Sequence, residues 1–188
     1  MRFHPSVPRV LYCLVVMLLL SSARAQEAQA PALRFSDRFP SFAWLIGEWR
    51  GHGVFRQSDN TNYLHRTYSY DIAGMFMAER TVAIFPPDTA STNFEVHQDL
   101  SYYYLDSVNN QVKSTTFFVE SYVSTSTWRD MGDRLVSEST RIENGPPGMR
   151  TRFTLEKQSE DRFIETFELA MPGEEFEIAE RLVLVRVQ

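Results

Sequence analysis

Two charged side chains interrupt apolar strand faces, and they are the residues best placed for chemistry. Arg66 lies in an alternating run whose Leu64, Tyr68, Tyr70 and Ile72 share its face, and Glu165 lies among Phe163, Phe167 and Leu169. A charge on an apolar face must be paired or hydrogen-bonded, because desolvation is otherwise unrepaid. Two readings follow. Either Arg66 and Glu165 form a structural ion pair, or Arg66 and the nearby Tyr68 hydroxyl anchor a ligand carboxylate through charge-assisted hydrogen bonds. Alternation over 94–105 puts Phe94, Val96, Gln98, Leu100, Tyr102 and Tyr104 on one inward face. The expected ligand-binding set is therefore Arg66, Tyr68, Tyr70, Gln98, Tyr102, Tyr104 and Glu165.

Other chemistry finds little purchase. The only cysteine, Cys13, lies in the apolar N-terminal run. His52, His65 and His97 each lie opposite the apolar face of their strand, so all three are expected to point outward. Glu95, His97 and Asp99 share a face at spacings a metal could bridge, but one imidazole among charges on a polar face reads as a solvated surface rather than a ligand set. No catalytic metal site is expected. No Gly-x-Ser-x-Gly, His-Glu-x-x-His, phosphate loop or dinucleotide-binding glycine set occurs. An enzyme is disfavoured and no catalytic residue is assigned. The alternative in that class is acid–base work by Tyr, Arg and Glu in a lumen.

The elements that would position these residues are strands. From Trp49 onward the apolar period is two, over 49–57, 61–72, 75–85, 94–105, 111–119, 122–129, 134–142, 149–157, 162–170 and 176–187. Turn chemistry separates most of them, including Ser58-Asp59-Asn60, Ala73-Gly74, Met131-Gly132-Asp133 and Met171-Pro172-Gly173. The break near Glu120-Ser121 carries no Gly, Pro or Asn. Ten consecutive strands with no helix between them predict an all-β, antiparallel up-and-down barrel, closed at one end by a short helical turn near Phe42 to Ile46. Closure also removes the edge strands that an open sheet would have to protect.

The stretch Trp44-Leu45-Ile46-Gly47-Glu48-Trp49-Arg50-Gly51-His52-Gly53 resembles the Gly-x-Trp opening of the calycin barrels, most of all the nitrobindin-like branch and its secreted bacterial relatives. The resemblance implies a ten-stranded barrel over 42–187, with a basic residue of the last strand packed across the tryptophan. Arg181 or Arg186 would take that place. It also implies haem held through a histidine late in the barrel, but no histidine follows His97. Haem is therefore disfavoured, and no cofactor is assigned.

Composition sets the address. Arg2 and Arg9, the unbroken apolar run Val10 to Leu20 and the Ala23-Arg24-Ala25 pattern predict a cleaved signal peptide over 1–25. Residues 26–35 read as a disordered lead-in and 36–188 as the barrel domain. The apolar run is too short for a permanent membrane anchor. Cleavage removes three arginines and no acid, moving the formal charge from -5 to -8, which argues against nucleic acid. The expected function is a periplasmic or secreted barrel that binds a small, largely apolar molecule, with a carboxylate head group as one option. A structural or interaction barrel filled solid by its own side chains is the remaining alternative, and no oligomeric state is implied.

If the signal is cleaved as expected, N-terminal sequencing of the exported protein will begin at Gln26 and the protein will be soluble. Recovery of the intact N-terminus in the membrane fraction would refute this.

Overall fold

In the computed structural model the described residues are 34–55, 61–87 and 92–188. The expected signal and nearly all of the lead-in lie outside them. Ten antiparallel strands follow in chain order: β1 Gly47–Phe55, β2 Thr61–Asp71, β3 Phe76–Phe85, β4 Glu95–Asp106, β5 Gln111–Phe117, β6 Val123–Asp130, β7 Arg134–Glu143, β8 Arg150–Ser159, β9 Arg162–Ala170 and β10 Glu177–Arg186. Each pairs with its neighbour in sequence, and β10 returns to β1, so the sheet is a closed up-and-down barrel. The ends of the expected strands shift by no more than about two residues, the ordinary fraying of strand ends.

The turn that carried no glycine signal exists all the same. Ser121 adopts a left-handed conformation (φ 69°), its N–H donates to Phe118 O at 2.9 Å, and Phe118 N–H donates to Tyr122 O at 3.0 Å. A serine can hold this geometry at modest strain when flanking strands fix it.

One end of the barrel is closed by a short α-helix, α1 (Phe35–Arg38), and a 3₁₀ turn, Pro40–Leu45. Pro40 opens the 3₁₀ turn, where its missing N–H costs nothing. Phe35, Phe42 and Leu45 are buried, so the cap begins at the last residue of the expected lead-in. Phe42 meets Tyr103 and Trp128 edge-on, and Trp44, Trp49 and Phe163 form a second edge-on cluster with centroids 4.8–6.3 Å apart. Such contacts add to the area the rings remove from water.

The Gly-x-Trp opening has a physical cause. Trp49 Nε1 donates to Leu45 O at 2.7 Å, and the Arg186 guanidinium lies 4.2 Å from the Trp49 ring centroid. Arg186 also donates to Trp44 O and Ile46 O, each at 2.7 Å, tying the last strand to the cap. Gly47 has φ +129°, and a Cβ there would come within 2.6 Å of Arg186 Nη1. The glycine thus supplies both a backbone angle and the room for the guanidinium. Of the two arginines expected to cross the tryptophan, Arg186 does so, whereas Arg181 is exposed.

Truncating a fully buried aromatic to alanine typically costs about 3–5 kcal/mol. Trp49→Ala should therefore lower the denaturation midpoint sharply, whereas Arg50→Ala, on the exposed face, should change stability by no more than about 0.5 kcal/mol. Equal midpoints would show that the cap does not depend on the tryptophan.

Candidate functional site

The inward face of the barrel is built in three layers. Next to the cap lies a packed aromatic and aliphatic core of Phe42, Leu45, Trp49, Tyr103, Trp128, Leu135, Leu155 and Phe163. Midway lies a polar layer around Arg66. Beyond it, toward the other end, opens a cavity of about 500 Å³.

Strand register creates the polar layer. Arg66 on β2 lies opposite Thr81 on β3, which lies opposite Asp99 on β4, so the three inward side chains form one lateral row. In the next row, Tyr68, Glu79 and Ser101 follow the same order. Glu165 reaches in from β9. Arg66 Nη1 and Nη2 both donate to the Glu165 carboxylate, the second at 3.0 Å, in a bidentate ion pair. Its Nε donates to Thr81 Oγ1 at 2.9 Å and lies 3.2 Å from Glu79 Oε1, while Nη1 also reaches the Tyr68 hydroxyl at 3.3 Å. Glu79 is held further by the Thr81 hydroxyl at 3.1 Å and by the Tyr103 hydroxyl.

The electrostatics follow from this packing. Burial alone would lower the Arg66 pKa, but Glu165, Tyr68 and Glu79 more than reverse it and hold the guanidinium charged. Burial pushes the phenols of Tyr68 and Tyr103 well up, so both stay protonated; Tyr103 donates to Glu79 and Tyr68 accepts from Arg66. Asp99 stands apart. Burial, then Glu120 and Glu79, raise its carboxyl to about 6, against Arg66 and a backbone hydrogen bond from Val119. Its Oδ1 is buried and has no hydrogen-bond partner.

The open cavity shares Arg66, Thr81, Asp99, Phe118, Ser124, Phe153 and Glu165 with a smaller chamber of about 60 Å³ that runs into the polar layer. Its apolar wall is formed by Leu64, Ala83, Phe85, Phe118, Ile142, Met149, Phe167 and Leu169. Toward the mouth stand Glu95, His97, Glu120 and Glu180. His97 Nδ1 lies 2.8 Å from Glu120 Oε1, with Nε2 3.7 Å from Glu95 Oε2. Glu180 accepts from the Asn62 amide, and burial raises its pKa despite that bond. Among the described residues no cluster of three His, Cys, Asp or Glu is arranged to hold a metal ion.

The structure unites part of the expected site and disperses the rest. Arg66, Tyr68 and Glu165 meet as one network. Tyr70 keeps their parity, opposite Met77 near the end of β2, but is 38% exposed, and Ile72, past the strand's end, is 64% exposed. On β4 the expected faces are reversed. Glu95, His97, Asp99, Ser101 and Tyr103 point inward, while Gln98, Tyr102 and Tyr104 point out. Tyr102 donates to Asp71 at 3.1 Å and meets the Phe76 ring edge-on, and Tyr104 lies 3.5 Å from Thr115 Oγ1. Apolar alternation misled here because aromatic side chains cover the outer face of β4 and the lumen beside it is polar. The outward placement of His97 fails with that parity, and so does the argument against a lumenal imidazole. His52 and His65 are exposed, as expected. Glu79, Ser124 and Thr151 are absent from the expected set, and Asp99 enters the sequence reading only as part of a solvated triad with Glu95 and His97. The signal for Glu79 was absent because both faces of β3 look apolar, and the signal for Asp99 lay in the reversed face.

Arg66 is also no free anchor for a carboxylate. Its donors are taken by Glu165, Tyr68 and Thr81. An incoming anion would have to displace Glu165, itself buried.

No family model and no curated protein matches the chain. Among solved structures, that of Rv2717c from M. tuberculosis superposes with a TM-score of 0.54 at 14% identity, covering 80% of this chain and 98% of that one. This likeness concerns the fold alone, the closed ten-stranded antiparallel barrel.

Two tests address the polar layer. Arg66→Met leaves buried carboxylates unpaired and should cost about 3–5 kcal/mol. A double-mutant cycle with Glu165→Gln should give a coupling of about 0.5–3 kcal/mol; near-zero coupling would break the pair assignment. For Asp99, the folded chain holds a proton between about pH 4 and 6 that the unfolded chain has released. Its contribution is thus most favourable at low pH and declines as pH rises through that window. The groups facing it are Arg66 on β2, Glu79 on β3, Glu165 on β9, Glu180 on β10 and Glu120 in the β5–β6 turn, with His97 on its own strand. Stability of Asp99→Asn relative to the wild type should rise across the same window. A constant difference would show that Asp99 is not held in that state.

Proposed function

We propose that the chain is a small-molecule binding protein whose ligand lies in the open half of the barrel. The cavity of about 500 Å³ carries this reading. It falls within the range of sites for drug-sized molecules, and its wall is mostly apolar with a few convergent polar groups, the usual composition of such sites. A barrel filled solid by its own side chains would leave no such volume. Export through a signal over 1–25, to the periplasm or beyond, belongs to the same proposal, as does kinship with the nitrobindin-like branch. The latter draws support from the Gly47-Glu48-Trp49 opening and from Arg186 on the last strand.

A binder is favoured over an enzyme by the state of the polar residues. Arg66, Glu79, Glu165, Tyr68 and Tyr103 are locked to one another, and their mutual bonds stabilise the barrel rather than wait for a reacting group.

The test is titration with diphenylhexatriene, an uncharged hydrocarbon that fluoresces when removed from water. The wild type should bind it, and Ala83→Phe, which projects a ring into the cavity from the β3 wall, should weaken binding while the circular dichroism spectrum is unchanged. Absence of binding by the wild type, or equal binding by the filled variant, would overturn the proposal.

A further inference from the structure

We infer that the ligand of this cavity carries an amine or other cationic hydrogen-bond donor, seated against Asp99 with its apolar body along the Phe153–Phe167 wall. The inference rests on the binding reading above and adds the chemical class of the ligand.

Three observations support it. The first is the balance of charge. Among the described residues lining the cavity, Arg66 faces Glu165, Asp99, Glu95, Glu120 and Glu180. Its guanidinium is committed to Glu165, so the rest of the wall presents acid alone, moderated by His97 beside Glu120. A cavity with this field attracts cations and repels carboxylates.

The second is the unmet acceptor. Asp99 Oδ1 is buried without a partner, at the junction of the open cavity and the small polar chamber. Buried carboxylate oxygens are ordinarily hydrogen-bonded, because leaving one bare costs the full desolvation of that atom. Its protein neighbours do not supply a donor: Arg66 is turned to Glu165, and Thr81, opposite in the register, donates to Glu79.

The third is a pair of hydroxyls in the same wall. Ser124 and Thr151 are 5% and 7% exposed, and neither side-chain oxygen has a hydrogen-bond partner. Both line the open cavity, Ser124 at the junction with Asp99 and Thr151 on β8 two residues before Phe153. A hydroxyl both donates and accepts, so Ser124 can take a remaining N–H of an ammonium at Asp99, while Thr151, one row nearer the mouth than the Phe153–Phe167 pair, can bond a polar atom farther along the ligand. One stacked ring pair on the β8–β9 wall continues the site outward. Phe153 and Phe167 stack with centroids 4.7 Å apart, beside Leu169, Met149 and Ile142. The arrangement is a polar seat of acidic character below an apolar sleeve.

Displacement of diphenylhexatriene by decylamine, decanol and decanoate at pH 7.5 tests the inference, since the three differ in head group alone. A hydrogen bond to a charged group contributes about 1.5–3 kcal/mol, or about tenfold to a hundredfold in affinity. Decylamine should therefore bind at least about tenfold more tightly than decanol, with decanoate weakest. Asp99→Asn should bring decylamine to the level of decanol while leaving decanol within about threefold of its wild-type affinity. If decanol binds but decylamine gains nothing over it, or if Asp99→Asn keeps the amine preference, the cationic assignment is wrong and the binding reading stands. If neither the hydrocarbon nor any decyl compound binds the wild type, the binding reading itself fails and takes this inference with it.

Discussion

The bidentate contact between Arg66 and Glu165 is the constraint on which the interior depends. A guanidinium in the middle of a barrel is tolerable only when its hydrogen-bonding capacity is met, and here strands β2, β3 and β9 meet it together. Because the partners come from strands far apart in sequence, the pair fixes the relative register of distant parts of the sheet. It also divides the lumen. On the cap side the side chains are large, aromatic and closely packed. On the other side the polar layer forms a floor, and the barrel wall beyond it encloses a cavity.

The packed half derives its order from another arginine. Arg186 lies against Trp49, bonds to two cap carbonyls and needs Gly47 to lack a side chain. The last strand is therefore tied to the first, and both to the 3₁₀ turn that plugs the end. Without a disulfide in the residues from Gln26 onward, barrel closure rests on these contacts and the ladder between β1 and β10. The seam and the cap are thus stabilised by groups outside the cavity, in a fold shared at 14% identity with Rv2717c.

Charge gives the open half its character. The polar floor uses its one guanidinium on two buried carboxylates, Glu165 and Glu79, and leaves Asp99 with an unmet oxygen. An arginine in a barrel invites the idea of an anion site, but the relevant quantity is what remains after the protein has satisfied its own groups. Here the remainder is acidic. The His97–Glu120 contact extends that polarity to the mouth without cancelling it.

The sequence by itself determined the strand number, the antiparallel order, the capped end and the two charges, Arg66 and Glu165, that interrupt apolar faces. These are local quantities: period-two patterning, turn chemistry, and a charge on an otherwise apolar face each show within a few residues. It also assigned the inward face of β9 correctly, with Phe163, Glu165, Phe167 and Leu169 together on the interior side. Tertiary structure decided the rest. On β4 both faces carry aromatics, and the outward ones gain cover from Phe76 and the neighbouring strands, so counting apolar residues chose the wrong side. On β3, Glu79 had no legible direction until Tyr103 and Arg66 came within bonding distance. Which arginine crosses Trp49 depended on register at the barrel seam, where Trp49 lies opposite Arg186. Whether Arg66 was free or committed depended on a carboxylate 99 positions away in the chain. Alternation reports which side of a strand is apolar, but the side that faces a partly polar lumen is settled only when all ten strands close around it.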